Sequence, residues 1–177
     1  SRYLNDPLSR GAYLLYFWQM SYLQARAALR FLPYPPKTAL DLGCGPGPVA
    51  CALADIGARV CAADYSKEAI KLAHALTEKT QKNIRFHPWD AKKHPIPDGQ
   101  FECITMSHLV NELWDSSARF ELRADLIEKA GEHLTQSGSI LLIEPALLRT
   151  SRETLQIRDE LTKRGWHIHY PCPGDYP

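Results

Sequence analysis

The chain has no surplus of charge in either direction: 21 Lys and Arg against 20 Asp and Glu leave +1 at pH 7. Dedicated nucleic-acid binders usually carry a strong basic excess, so composition neither points to such a partner nor excludes one. Long apolar runs are also missing. The longest, Ala12–Trp18, is flanked by Arg10 and by Gln24 and Arg26, too short and too polar at its edges to span a membrane. No signal peptide, low-complexity tract or internal repeat is recognised. Cysteine is sparse and odd in number. The five, at 44, 51, 61, 103 and 172, form no even disulfide framework, so a reducing compartment is expected, with the first four as buried small hydrophobes. The first residue is Ser1 and not Met, as expected of an excised fragment or a processed product.

What is present is ordinary in bulk and patterned in detail. With 177 residues, 45% hydrophobic and 23% charged, one globular domain with a real core is expected. After Pro36, strand and helix patterns alternate. Thr38–Leu42 reads as a buried strand ending in glycines, Val49–Ile56 as a helix and Arg59–Ala63 as a second strand. Ser66–Lys79 reads as a helix, with Ala69, Leu72, Ala73 and Leu76 at helical spacing and Ser66 as its cap. Asn83–His87 and Phe101–Met106 read as strands, and Ser116–Leu134 as a helix with Leu122, Leu126, Ala130 and Leu134 four apart. Gly138 opens a fifth strand, Ser139–Glu144; Thr150–Arg164 is a last helix and Trp166–Tyr170 a last strand. This alternation predicts an α/β fold: a doubly wound, Rossmann-like, mostly parallel sheet with helices on both faces.

Gly11–Leu32 precedes the first strand and reads as a helix with one apolar stripe: Tyr16, Met20, Leu23, Ala27 and Phe31. Either it packs on the core, or its surplus aromatics (Tyr13, Tyr16, Phe17, Trp18) cover a binding cleft. Pro33, Pro35 and Pro36 stiffen the link to the sheet. The chain thus divides into a helical extension, residues 1–36, and the α/β domain, residues 37–177.

The central motif is Ala39-Leu40-Asp41-Leu42-Gly43-Cys44-Gly45-Pro46-Gly47, where the first strand turns into the first helix. Ligands of doubly wound sheets sit there, beyond the carboxyl ends of the strands, and glycines let the backbone approach closely. A dinucleotide loop wants G-x-G-x-x-G with a pyrophosphate at the helix N-terminus. Here the third glycine comes one residue early and Pro48 takes its usual place. Asp41 would repel a pyrophosphate but would suit a ligand with an ammonium and a sulfonium, as S-adenosylmethionine has. A P-loop is excluded because no Gly-Lys-Ser/Thr ending follows. Asp64 ends the second strand, 21 residues after Gly43, where a carboxylate can accept both ribose hydroxyls. Tyr65 would pack on an adenine, Asp90 would accept from its amino group and Ala91 would offer its backbone. Taken singly, Asp64 reads as a turn residue and Asp90 as a loop cap.

Leu40–Gly47, Asp64, Asp90-Ala91 and Pro97–Phe101, in this order and spacing, resemble the class I S-adenosylmethionine-dependent methyltransferases over residues 38–145. The resemblance implies S-adenosylmethionine as cofactor, S-adenosylhomocysteine as product, and a site of Asp41, Gly43, Cys44, Gly45, Gly47, Asp64, Tyr65, Asp90, Ala91 and Ser107. The flanks narrow it. Tyr3–Leu32, Ser107-His108-Leu109-Val110-Asn111-Glu112-Leu113, Ile143-Glu144-Pro145 and His169–Asp175 are similar to methyltransferase-like proteins associated with the small ribosomal subunit of bacteria and mitochondria. That family implies a small-subunit or RNA partner, in the bacterial cytoplasm or the mitochondrial matrix. It usually continues with cysteines that would ligate an iron–sulfur cluster. This chain has only Cys172 of that segment, so a complete cluster is not within it. Its sheet also looks open at the C-terminal edge. His167, His169 and Cys172 are closely spaced donors but read as edge-strand surface residues, and no metal site is assigned.

Methyl transfer is an in-line displacement at a carbon that the cofactor has already activated. The protein aligns the reactants and removes a proton. His108 or Glu112 would serve as base and Asn111 would position an acceptor; alternatively Ser107 and His108 only bond the loop and the cofactor edge. No Asn/Asp-Pro-Pro-Tyr segment follows the fourth strand, which argues against adenine or glutamine amide methylation. Pro171-Cys172 lies in the wrong place for a cytosine-C5 nucleophile. Arg85, Lys92 and Lys93 form a small basic group at the rim, read as a solvated face. The first functional reading is methylation of ribosomal RNA or another small-subunit component. The second is a non-catalytic cofactor-binding assembly factor, and the third a small-molecule methyltransferase.

Overall fold

The computed structural model describes residues 6–171. Its sheet has five parallel strands: β1 (Thr38–Leu42), β2 (Arg59–Asp64), β3 (Ile84–Pro88), β4 (Phe101–Ser107) and β5 (Leu134–Ile143), in the spatial order β3-β2-β1-β4-β5. The helices between them are α3 (Pro48–Asp55), α4 (Lys67–Thr77) and α5 (Arg119–Gly131), and α6 (Leu148–Lys163) follows β5. They follow α1 (Pro7–Ala12) and α2 (Gln19–Ala28) of an N-terminal helical run. The doubly wound arrangement is as expected. The chain reverses its direction of travel across the sheet between β1 and β4, which opens a crevice at their carboxyl ends.

Alternation along the strands divides the core into two layers. On one face Leu40, Leu42, Ile104 and Met106 meet Ile127 of α5 and Ile157 and Leu161 of α6. On the other, Ala39, Val60, Ala62 and Cys103 meet Leu53 of α3 and Ala73 of α4. Small residues on this second face let the helices lie close. Ser66 caps α4 as the sequence predicts, its Oγ accepting from Ala69 N at 3.2 Å. Cys44, Cys51 and Cys103 are buried free thiols and Cys61 is half-buried; Cys172 lies outside the described residues.

Three expectations are corrected. Trp166–Tyr170 is not a strand. The Trp166 indole packs over Gly131, where an added Cβ would come within 2.4 Å, and Tyr170 stacks on Phe31 at 3.7 Å. The segment therefore folds back over helices, and no described strand pairs with the outer edge of β5. Leu134 opens β5 and does not close α5. It pairs with Phe101, and the ladder resumes at Ser139 opposite Cys103, with an irregularity between. Finally, the stripe read on the N-terminal helix faces outward: Tyr16, Met20, Leu23 and Phe31 are 42–61% exposed. The buried face holds Ala25 and Leu29, with Trp18 and Tyr22 half-buried. A π-helical turn, Tyr13–Trp18, lies between α1 and α2. Its wider winding shifts the helical phase that a 3.6-residue reading assumes.

Candidate functional site

The glycine loop lies at the crevice because three of its glycines hold left-handed backbone: φ is +71° at Gly43, +52° at Gly45 and +83° at Gly47. Side chains other than glycine rarely adopt that region. Gly43 N and Cys44 N both donate to Ala63 O, at 2.8 and 3.0 Å, so the loop is tied to the end of β2. A Cβ on Gly43 would strike Leu109 at 2.8 Å, whereas one on Gly45 would meet only the Tyr13 hydroxyl, at 4.0 Å. Gly45 thus borders open space.

Two acids flank the loop. Asp41 is fully buried beneath it. Its Oδ1 accepts from Thr105 Oγ1 at 2.8 Å, while Oδ2 lacks a well-formed hydrogen bond. Burial pushes its pKa up to about 7 against the partial relief given by Thr105 and the Ala50 backbone. Asp64 accepts from Gly45 N at 2.9 Å and from Ser66 N at 2.8 Å, and burial raises its pKa also. One carboxylate therefore joins the glycine loop to the start of α4. Tyr65 beside it is 65% exposed. Asp90 turns on itself: Oδ1 accepts from Lys92 N at 2.9 Å and Oδ2 pairs with Lys93 at 3.3 Å. The Lys92 backbone bond chiefly holds its pKa down. Ala91 is half-buried against the α5–α6 side core.

The loop after β4 forms the opposite wall. Ser107 ends the strand, half-buried. His108 follows at φ +54° with its N–H on Ile143 O at 2.8 Å; burial lowers its pKa, which favours the neutral imidazole. Glu112 is exposed, and its pKa is raised by partial desolvation and then by the charge of Asp64. Asn111 does not project freely, because its side-chain amide donates to Glu144 Oε2.

Two residues shape this wall that the sequence reading did not assign to the site. Glu144, just beyond β5, also accepts from Val110 N at 3.0 Å and Asn111 N at 3.4 Å. Arg123 of α5, 1% exposed, donates to the carbonyls of Leu113 (2.9 Å), Asn111 (3.0 Å) and Trp114 (3.3 Å) and pairs with Glu153 at 2.8 Å. The loop is thus gripped through its N–H groups from β5 and through its carbonyls from α5. Its ends carry left-handed His108 and Trp114. An available signal was the lone Arg123 on the helix face that buries Ala124, Ile127 and Ala130.

From above, Trp18 Nε1 donates to Pro46 O at 3.0 Å and Tyr13 reaches toward Gly45. Two of the four N-terminal aromatics therefore stand over the glycine loop, while Tyr16 and Phe17 face outward.

Residues 39–138 match the model of the methyltransferase domain family. The chain belongs to that family. Among relatives of this methyltransferase domain, the ubiquinone biosynthesis O-methyltransferase of Xanthomonas campestris is 30% identical over 115 residues, 64% of this chain and 46% of that protein. The demethylmenaquinone methyltransferase of Thermus thermophilus is 34% identical over 106 residues, 59% of this chain and 45% of that one. The chain spans about half the length of the curated relatives it matches. Among solved structures, the plantazolicin methyltransferase BpumL, in complex with a monoazolic desmethylPZN analog and S-adenosylhomocysteine, superposes with a TM-score of 0.60 at 20% identity. It covers 89% of this chain and 64% of that one. The shared fold is the class I methyltransferase fold.

Proposed function

We propose that this chain binds S-adenosylmethionine at the glycine loop and methylates a small, largely apolar acceptor held between that loop and the His108–Trp114 wall. The observation that carries the reading is the set of acids around the crevice, Asp41 and Asp64 buried in it and Glu144 half-buried, with Glu112 exposed. Asp41, Asp64, Glu112 and Glu144 all have pKa values raised by burial, so each gains from a nearby cation. The ligand's ammonium and sulfonium answer that demand, whereas a pyrophosphate would meet repulsion. The buried Oδ2 of Asp41 and the open space beside Gly45 fit the same ligand.

Bound there, the cofactor supplies a methyl group already activated by its sulfonium. Gly43, Cys44, Gly45 and Gly47 would provide close backbone approach. Asp64 keeps a further lone pair on each oxygen for ribose hydroxyls, and Tyr65, Asp90 and Ala91 would border the adenine. Ser107 stands at the reacting end. His108, held neutral by burial, is suited to take the acceptor's proton. Glu112 would stay beside it as a negative wall, and Asn111 orients the loop by binding Glu144.

The small-acceptor reading draws on the quinone-directed names of both curated relatives and on Tyr13 and Trp18 over the loop. A second reading, methylation of ribosomal RNA or another part of the small subunit, draws on the resemblance of Tyr3–Leu32, Ser107–Leu113, Ile143–Pro145 and His169–Asp175. Both named relatives carry quinone-directed names and lend that resemblance no support. Transfer of labelled methyl from S-adenosylmethionine to catechol and hydroquinone acceptors, run beside isolated small ribosomal subunits, separates the two. Label on the phenols is expected. Label on the subunits alone would replace the first reading with the second. Cofactor binding with label on neither would favour a non-catalytic binding role.

A further inference from the structure

The outward face of the N-terminal helical run is apolar, and none of the described residues covers it. Leu8, Leu15, Tyr16, Phe17, Met20 and Leu23 are each between 42% and 85% exposed. Single exposed hydrophobics are ordinary, but a continuous stripe along a helix marks a contact surface. Its charge is one-sided. Between Asp6 and Asp41 the sequence holds no Asp or Glu, yet carries Arg10, Arg26 and Arg30. Arg26 and Arg30 are exposed and stand three residues beyond Leu23 and Ala27, which puts them beside the stripe; Arg26 also donates to the Tyr22 hydroxyl at 3.4 Å, on the side of Asp55. Long guanidinium stems at such positions can lie along an apolar face while the head stays in a polar layer.

We propose that this helical run lies flat on an anionic lipid surface. A lipid interface answers both features at once, taking the leucines and aromatics into the acyl boundary and the arginines among headgroups. A second copy of the chain would set one arginine-bearing face against another, and RNA would leave the apolar stripe in water. The helix rests on the membrane and does not cross it: no helix among the described residues is long and apolar enough to span. Leu147 and Leu148, just past the carboxyl end of β5, are 66% and 70% exposed and lie toward the same carboxyl end of the parallel sheet as the glycine loop that Trp18 touches. The inference holds whatever the methyl acceptor is.

The test is co-sedimentation of the full chain with vesicles of phosphatidylcholine, with and without phosphatidylglycerol, at low and high salt. Binding to the phosphatidylglycerol vesicles is expected, weakened by salt. Arg26→Gln with Arg30→Gln should weaken it about tenfold or more. Leu15→Ser with Leu23→Ser should abolish it, while an unchanged melting temperature shows that these exposed substitutions leave the fold intact. Three results would overturn the proposal: no sedimentation of the unaltered chain, sedimentation of both double variants at its level, or a stable dimer that buries the stripe.

Discussion

Gly45 is the residue at which the cofactor reading is most exposed to test. Its φ of +52° and the open space at its Cβ position mean that a long side chain there would enter the crevice and not the core. Gly45→Arg should abolish S-adenosylmethionine binding in calorimetry while the far-ultraviolet circular dichroism stays native. Retained binding would move the ligand elsewhere. His108 is tested differently, because it sits on the acceptor wall in left-handed backbone. Asparagine tolerates that backbone, so His108→Asn removes the base without straining the loop. Methyl transfer should fall roughly a hundred- to ten-thousand-fold with cofactor affinity nearly unchanged. An unchanged rate would reduce His108 to a loop residue.

At the scale of elements, the loop after β4 holds its shape only because α5 and β5 grip it. Arg123→Met removes four hydrogen bonds at once, leaves three loop carbonyls without this donor, and leaves Glu153 with only the more exposed Arg119 and Arg149. A loss of about 2–4 kcal/mol is expected in denaturant unfolding, from the unsatisfied loop carbonyls and the weakened ion pair. Arg123 is also the main reason that the Glu153 pKa lies below its ordinary 4.5. That contribution is present above the ordinary value and fades as pH falls through the lowered one, so the variant should lose part of the wild-type decline in acid. Legibility in the sequence follows from the same physics. β1 is found to the residue and the α4 cap is found because local chemistry dictates both. The outward stripe was misread because periodicity shows that a helix has an apolar face, not where that face points. Ala25 and the half-buried Trp18 and Tyr22, which pack inward, carry less hydrophobic signal than the leucines outside. The Trp166–Tyr170 alternation suits a strand, but a strand exists only where a partner edge binds it. In the site, the glycine loop and Asp64 were legible from spacing. Glu144 and Arg123 were not, because their roles depend on long-range contacts 33 and 12 residues from Asn111.

Over the whole molecule, the raised acids set the dependence of stability on pH. A carboxyl whose folded pKa lies above its unfolded value stabilises the fold fully below the unfolded value, and that stability is lost as pH rises through the folded one. With Asp41 at about 7 and Asp64, Glu112 and Glu144 raised in the same direction, the free protein should lose stability as pH rises to about 7. Asp41→Asn should flatten that decline in thermal melts. A cationic ligand favours the ionised acids, so the rise in melting temperature caused by S-adenosylmethionine should grow over the same range. A ligand-induced rise that shrinks with pH would mean that the acids do not face the ligand.

Calorimetric titration with S-adenosylmethionine, run beside NAD, tests the central claim most directly. The two ligands share an adenosine and differ in what the acids at the glycine loop would meet: a cationic methionine moiety in one, a pyrophosphate in the other. The account predicts saturable binding of S-adenosylmethionine at one site and none of NAD. Binding of NAD, or of neither ligand, would contradict it.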